Sequence, residues 1–542
     1  MIDAGRPSTR ANRGLVTCPH YLASATGVSL LREGGSAVDA AIGTNATLCV
    51  VYPHMAGLGG DGFWLIADDE ITGINASGPS GERATRKHYA GLGYDEIPER
   101  GSGSTLTVPG AVDGWRLAHD RHGTLPWARL FEDAITYARE GFPITANFAQ
   151  WIARDADILG QDDKAAEIFL SDGRPPEAGS ILRQPELADS LETIATKGAR
   201  EGFYEGPLAE QFCSGLGAES PLTATDFESY RAEWVTPLSV DYRGYTAHTL
   251  PPNTQGIAAL QLLGLLDGFD VASWGEGSAD YYHHMAEATK VAFADRDAWV
   301  TDPEAVELPA AKLLSSKYLD ERRALIDPSA SLPATVEPGI VPNGSTPRPQ
   351  EPGGDTCYLS VVDEDGLAVS LIQSIYFDFG SGFLTGETGI IPQNRGSFFS
   401  LEADHVNRLE PGKRSFHTLI PSLLTKDGDP WLVYGTMGGE GQPQTQAALI
   451  SRIVDFGFGV QEAIEAPRWL FGRTWGEQSR ALSLEGRIPD SVVTDLERRG
   501  QPVSVVRDRD EVMGHAAAIR IRDDGTLEGG ADPRGDGAAI GY

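Results

Sequence analysis

The alternation of apolar and polar positions first predicts two helices near the start of the chain, LASATGVSLLRE and a run to Val51, separated by Gly34-Gly35. Ser36, followed three residues later by Asp39, is a capping-box start for the second helix, and Pro53 closes it. Ala37, Ala40, Ala41 and Ala46 give that helix little bulk, so it can lie close under a sheet. GLGGDG (Gly57 to Gly62) then leads into FWLIA, an apolar run of strand length. From about residue 109 to 330 helical periodicity dominates, as in WARLFEDAITYARE and DYYHHMAEATKVAFADRDAW. Seven prolines between Pro328 and Gly354 exclude both helix and central strand. Directly afterwards the period changes to two: TCYLSVVD, a turn at Glu364-Asp365-Gly366, and LAVSLIQSIYF predict a hairpin whose first strand begins at Thr356. SLLTKDGDPWLVYG, HAAAIRIRDDG and a helix around Thr445 to Asp455 make the C-terminal part mixed α/β, and no internal repeat is visible.

Composition narrows the function classes. At 542 residues, 41% hydrophobic and 22% charged, the chain can fill a large core, and no stretch approaches the roughly 20 apolar residues of a membrane span. Seventy-seven acidic against 44 basic residues leave a net charge of -33, which repels phosphate backbones and anionic lipid; neither nucleic acid nor membrane is an expected partner. Only eight residues are lysine, an acidic, halophile-like balance. Cys18, Cys49, Cys213 and Cys357 are too few and too scattered for a disulfide framework, and the N-terminal segment lacks the apolar core of a secretory signal, so a reducing cytoplasm is the expected location. The glycines of GLGGDG precede a strand, the reverse of the order in a dinucleotide fingerprint. His283 and Glu287 share a helical face at metal-ligand spacing, but without a third ligand nearby they read as a solvated or structural pair. No metal or cofactor is expected.

Long segments in fixed order carry a resemblance. GVSLLREGGSAVDAAIGTNATLCVVYPHMAGLGGDGFWL, VPGAVDGW, HGTLPWARLFEDAI, GFYEGPLA, PPNTQG, EATKVAFADR, GDTCYLSVVDEDG, FGSGF, TMGGEGQPQ, APRW and ADPRGDG resemble the γ-glutamyltransferase family of N-terminal nucleophile hydrolases nearly end to end. The resemblance implies a four-layer αββα sandwich made as one inactive precursor. Its self-cleavage would fall between Asp355 and Thr356, giving a large chain (1–355, ending in the loosely held proline-rich segment 328–355) and a small chain (356–542) that remain one folded unit. Thr356 would then use its own newly exposed α-amine, with an intrinsic pKa of about 7.7–8, as the base that activates its hydroxyl. By the same resemblance Gly438 and Gly439 would offer backbone N–H groups to the oxyanion, and Ser374 would stand where a hydroxyl orients the nucleophile.

The substrate positions depart from the glutathione-cleaving pattern. Ser77 stands where an arginine would hold the glutamyl carboxylate, with Arg83 near enough in sequence to replace it; Tyr376, Arg395 and Phe398 stand for an asparagine, a glutamine and an aspartate, and His417-Thr418 for a serine pair. Losing the aspartate removes a partner for a substrate ammonium, while Arg395 and His417 add positive charge. The alternative is that Arg395 pairs with a neighbouring acid and Phe398 only packs. The expected activity is that of a threonine amidohydrolase or acyltransferase acting on a small-molecule amide whose acyl group carries a carboxylate. A true glutathione hydrolase and a non-catalytic binding relic are the competing readings, and whether the enzyme is a homo-oligomer is left open.

Overall fold

The computed structural model describes residues 5–342, 354–472 and 479–542. The two N-terminal helices form as expected, Tyr21–Arg32 and Ala37–Val51, and Ser36 and Asp39 make the reciprocal capping box. Such a cap is worth about 1 kcal/mol. The helices touch so closely that a Cβ on Gly27 would lie 2.3 Å from Thr44 Oγ1, and one on Gly43 2.2 Å from Leu30 Cδ1. Asp39 extends the same cap outward, accepting from the backbone N–H groups of Thr124 and Leu125.

Two seven-stranded antiparallel sheets face each other. One contains, in spatial order, Ala538–Gly541, Leu15–Cys18, Asp355–Val362, Ala368–Tyr376, Asp61–Ala67, Ile71–Ala76 and Glu233–Val235. The other runs Thr9–Ala11, Leu527–Ala531, Ala516–Ile521, Asp429–Thr436, Ser422–Lys426, Tyr245–Thr249 and Leu238–Tyr242. Alternation sorts the side chains: Cys357, Leu359 and Val361 face the helical layer on the first sheet, whereas Tyr358 and Val362 join Phe63, Ile372, Val433 and Ile519 between the sheets. A second helical layer, including Gly256–Asp267, Ala279–Trp299 and Gly441–Val454, covers the other sheet. The order is therefore helix, sheet, sheet, helix, the four-layer αββα sandwich.

The hairpin Leu238–Tyr242/Tyr245–Thr249 and the short strand Glu233–Val235 lie inside the segment where helical periodicity dominates, and the periodicity does not reveal them. Glu233–Val235 and Leu238–Tyr242 are edge strands and Tyr245–Thr249 lies next to the edge; their side chains are mostly part-exposed, so the apolar alternation is weak. Of the proline-rich segment, residues 328–342 contain neither helix nor strand, and residues 343–353 lie outside the described residues. His283 and Glu287 are both buried rather than solvated: His283 Nε2 meets Asp327 O at 2.8 Å and Glu287 pairs with Lys290 at 2.7 Å. Among the described residues no group of three or more His, Cys, Asp or Glu could hold a metal ion. Nor is any helix long and apolar enough to cross a membrane.

The sheets meet tightly where Gly435 opposes Tyr358; a Cβ there would lie 2.3 Å from the ring. Gly435→Ala is expected to destabilise the protein by about 1–3 kcal/mol through overpacking. Urea unfolding checks this, and an unchanged midpoint would show that the tyrosine yields without cost.

Candidate active site

Three neighbouring strands of the first sheet bring their ends together at one mouth of the sandwich. Thr356 is two residues from Tyr358 and Ser374 two from Ile372, while Asp61 is two from Phe63. All three therefore face the gap between the sheets. Ser374 is the register partner of Asp61. Across from Thr356 the ladder slips between Asp355 and Cys357, so that Ser374 and Ile375 both oppose the one residue. Thr356 is 1% exposed, and its hydroxyl has no hydrogen-bond partner among the described residues. Ser374, buried rather than solvent-facing, accepts the Tyr376 N–H at 2.7 Å through its Oγ.

The second sheet delivers Gly438 and Gly439 to the same mouth, immediately after Asp429–Thr436. Their φ values, 125° and 50°, lie in the region that favours glycine. Every carbonyl of the turn is turned into the protein. Met437 O accepts from Thr436 Oγ1 (2.7 Å), Gly438 O from Gly441 N (2.7 Å), Gly439 O from Gln255 Nε2 (2.9 Å), and Glu440 O from Gln444 Nε2 (2.9 Å). In trans peptides this turns the N–H groups of residues 438–440 the opposite way. Gln255 is itself gripped by Arg296, whose other nitrogen pairs with Glu440 at 2.8 Å.

Arg395 and Phe398 pack against Tyr376. Arg395 is 1% exposed; its guanidinium stacks on Tyr376 at 4.0 Å, and Nε, Nη1 and Nη2 all lack a hydrogen-bond partner among the described residues. The neighbouring acid that could have neutralised it, Asp61, forms no ion pair with it within 4.0 Å among the described residues; burial lowers the Arg395 pKa to about 10, with Tyr376 and Asp61 opposing the shift. Phe398 packs, 4.8 Å from Phe416 and edge-on to Tyr376 at 6.2 Å. His417 does not supply the positive charge read from the sequence. Burial and then Arg395 hold its pKa well below the imidazole range, so it is neutral. Thr418 is buried, and its carbonyl accepts the second Gln255 contact at 2.9 Å. Ser77 donates to Asn75 Oδ1 (2.7 Å) and accepts from Asn253 (3.2 Å), a network that spans both sheets. Arg83 is exposed, and the guanidinium at Ser77 is that of Arg414, whose Nε donates to Ser77 O at 3.2 Å.

Asp61 was not among the residues marked by sequence. Its Oδ1 accepts from Gly78 N (3.2 Å), Gly110 N (3.1 Å) and Gln393 Nε2 (3.1 Å), and its Oδ2 meets His417 Nε2 at 3.2 Å. Burial raises its pKa to about 7 against the lowering effects of Arg395 and these hydrogen bonds. The motif GLGGDG held the signal: an acid set among glycines at the first position of a fully buried strand.

Two facing antiparallel sheets covered by helices on both outer sides are the αββα architecture of the N-terminal nucleophile hydrolases. The gamma-glutamyltranspeptidase model matches residues 23–542, and the chain belongs to that family. It is similar to the glutathione hydrolase-like YwrD proenzyme of Bacillus subtilis (strain 168), 46% identical over 98% of this chain and 99% of the relative. The oxamate amidohydrolase proenzyme of Klebsiella pneumoniae is 44% identical over 99% of each chain. The crystal structure of cephalosporin acylase from Bacillus halodurans superposes with a TM-score of 0.91 at 36% identity, covering 100% of this chain and 99% of that one. The protein is thus an enzyme of the hydrolase and transferase class, close to the amidohydrolase and acylase branches, and the reading as a binding relic falls.

An enclosed, unpartnered guanidinium opposes folding, because its hydration is lost without replacement. Arg395→Met is therefore expected to raise the stability of the ligand-free protein by about 1–4 kcal/mol. Denaturant unfolding checks the sign, and a loss of stability would show that the charge is already compensated.

Proposed function

We propose that the protein is an autoprocessing threonine amidohydrolase or acyltransferase whose acyl substrates carry a carboxylate. Cleavage between Asp355 and Thr356 would divide the folded unit into chains 1–355 and 356–542, in keeping with the proenzymes among its relatives. In the mature form the Thr356 hydroxyl attacks the amide carbonyl and its proton passes to the α-amine of the same residue. The negative charge on the carbonyl oxygen is met by N–H groups of the Gly438-Gly439 turn, where a single donor is worth about 3–4 kcal/mol. Collapse expels the amine with the proton and leaves an acyl ester on Thr356, which water hydrolyses or a second amine accepts. Ser374 acts as a positioning residue for the nucleophile beside it, and Tyr376 and Phe398 form the apolar wall along the acyl chain.

The observation that carries the acyl preference is Arg395. Three nitrogens with hydrogens and no partner among the described residues, held flat against Tyr376, are arranged for a two-pronged bond to a carboxylate. Glutaryl and oxamyl amides offer that group without an α-ammonium, and an oxamate amidohydrolase is among the relatives. At the position read as the ammonium partner of γ-glutamyl substrates stands Phe398, half-buried against Phe416.

Two measurements check the proposal. Thr356→Ala should leave a single uncleaved band on a denaturing gel and no amidase activity; a processed, active variant would falsify the assignment of the nucleophile. Glutaryl-p-nitroanilide should be cleaved with a kcat/KM at least tenfold above that of the γ-glutamyl compound, and Arg395→Met should abolish the difference. Faster turnover of the γ-glutamyl compound overturns the reading of the pocket.

A further inference from the structure

Arg395 is not alone in having a nitrogen without a partner among the described residues. His417 is 1% exposed, makes one side-chain hydrogen bond, Nε2 to Asp61 Oδ2 at 3.2 Å, and leaves Nδ1 without a partner among the described residues. Its ring is fixed edge-on against Phe63 at 4.7 Å and its backbone is tied at both ends, N to Asn253 O and O to Gln255 N, each at 2.8 Å. The ring therefore has little freedom to turn. Which of its nitrogens carries the proton is decided by what Asp61 offers to Nε2.

We propose that Asp61 is a specificity-determining residue of the acyl pocket: through Nε2 it sets the tautomer of His417 and so decides whether Nδ1 meets the acyl group as a donor or as an acceptor. When Asp61 carries a proton on Oδ2, it donates to Nε2, and the one imidazole proton sits on Nδ1. Nδ1 and the three Arg395 nitrogens then offer only N–H groups, which suits a carboxylate. When Asp61 is ionised, the imidazole proton moves to Nε2 to meet the carboxylate, and Nδ1 becomes a lone pair that repels an anion. The ionised Asp61 also draws on the charge of Arg395. One proton, lost to solvent from Asp61, thus separates a pocket that selects anions from one that does not.

The groups acting on the pair place this exchange in an accessible range. Asp61 is faced by Arg395, by His417 and by the phenol of Tyr230, which itself feels Arg414, Asp113 and Glu233; His417 is faced by Arg395 and Asp61. Burial raises Asp61 to about 7, whereas His417 is held well below its ordinary value and stays neutral throughout. The sign follows. Below pH 7 the neutral acid prevails and carboxylate-bearing acyl groups are favoured; the preference is lost as pH rises through 7.

This proposal rests on the reading of Arg395 as a carboxylate site, and the test separates the two. The quantity to measure is the ratio of kcat/KM for glutaryl- and butyryl-p-nitroanilide from pH 5.5 to 8.5, because the nucleophile's own titration cancels in it. The ratio should exceed tenfold at pH 6 and fall at least fivefold by pH 8. Asp61→Asn should keep a high ratio at every pH: its Oδ1 can accept from Gly78, Gly110 and Gln393, and its amide donates to Nε2 as the protonated acid does. If that variant is not processed, His417→Gln serves instead, since an amide has no tautomer to exchange and the ratio should again be independent of pH. A high ratio that does not change with pH in the natural protein overturns the role of Asp61 alone, as does an undiminished fall in either variant. A ratio near one throughout overturns both this role and the carboxylate reading.

Discussion

The enclosure of the Arg395 guanidinium without a hydrogen-bond partner among the described residues constrains the rest of the site. A charge in such a place is tolerable only if surrounding contacts hold it there at a net cost, and the surroundings show how this is done. The face of the cation is spread over Tyr376, which rests on Phe377 at 4.4 Å, and Arg395 itself lies in a short turn, Arg395–Phe398, between buried neighbours. Stacking supplies part of what water supplied, about 2 kcal/mol when desolvated, but it leaves the in-plane N–H groups open. In the proposed function a carboxylate fills those directions. On that proposal the arrangement exchanges stability of the empty protein for preference in the loaded one.

The two sheets make this economy workable. Tight contact between them at Gly435 and Tyr358 fixes the spacing of the sandwich one turn inside the site, so that Asp61 on one sheet reaches His417 on the approach to the other. Asp61 binds four chain segments in addition to its own, those of Gly78, Gly110, Gln393 and His417. It is at once a structural hub and an electrostatic neighbour of Arg395. A carboxyl with both tasks, in a place dry enough to raise its pKa to about 7, is neither a simple counter-ion nor a simple brace.

Much of this was legible in the sequence where the determining interactions are local. The Ser36 and Asp39 cap, the glycine break before it and the hairpin after the proline-rich segment are set by residues within a few positions of one another. The threonine, the glycine pair and the arginine were marked because motifs in fixed order pointed to them. The hairpin Leu238–Thr249, whose outer strand is the sheet edge, was missed because strands that are only half-buried carry little apolar alternation. The charge of His417 was misread because a histidine's protonation depends on how much water surrounds it, which no neighbouring residue in the sequence reveals. Asp61 escaped for a related reason. Its partners lie 17, 49, 332 and 356 positions away, and its chemistry exists only when the fold gathers them.

The glycine turn shows the same logic applied to backbone. A pair of N–H groups can stabilise an oxyanion only if they do not need to reorient as charge develops. Here the turn is fixed from behind: four successive carbonyls are each engaged, two by side-chain amides, one by a hydroxyl and one by backbone. Gln255 holds two carbonyls at once, those of Gly439 and Thr418, and is held by Arg296, which also pairs with Glu440. The segment carrying the glycines is thus tied to the segment carrying His417 through one glutamine. Rigidity of the glycine turn and of the segment carrying His417 therefore has a common origin, and a substituent that shifts one of them must strain the other.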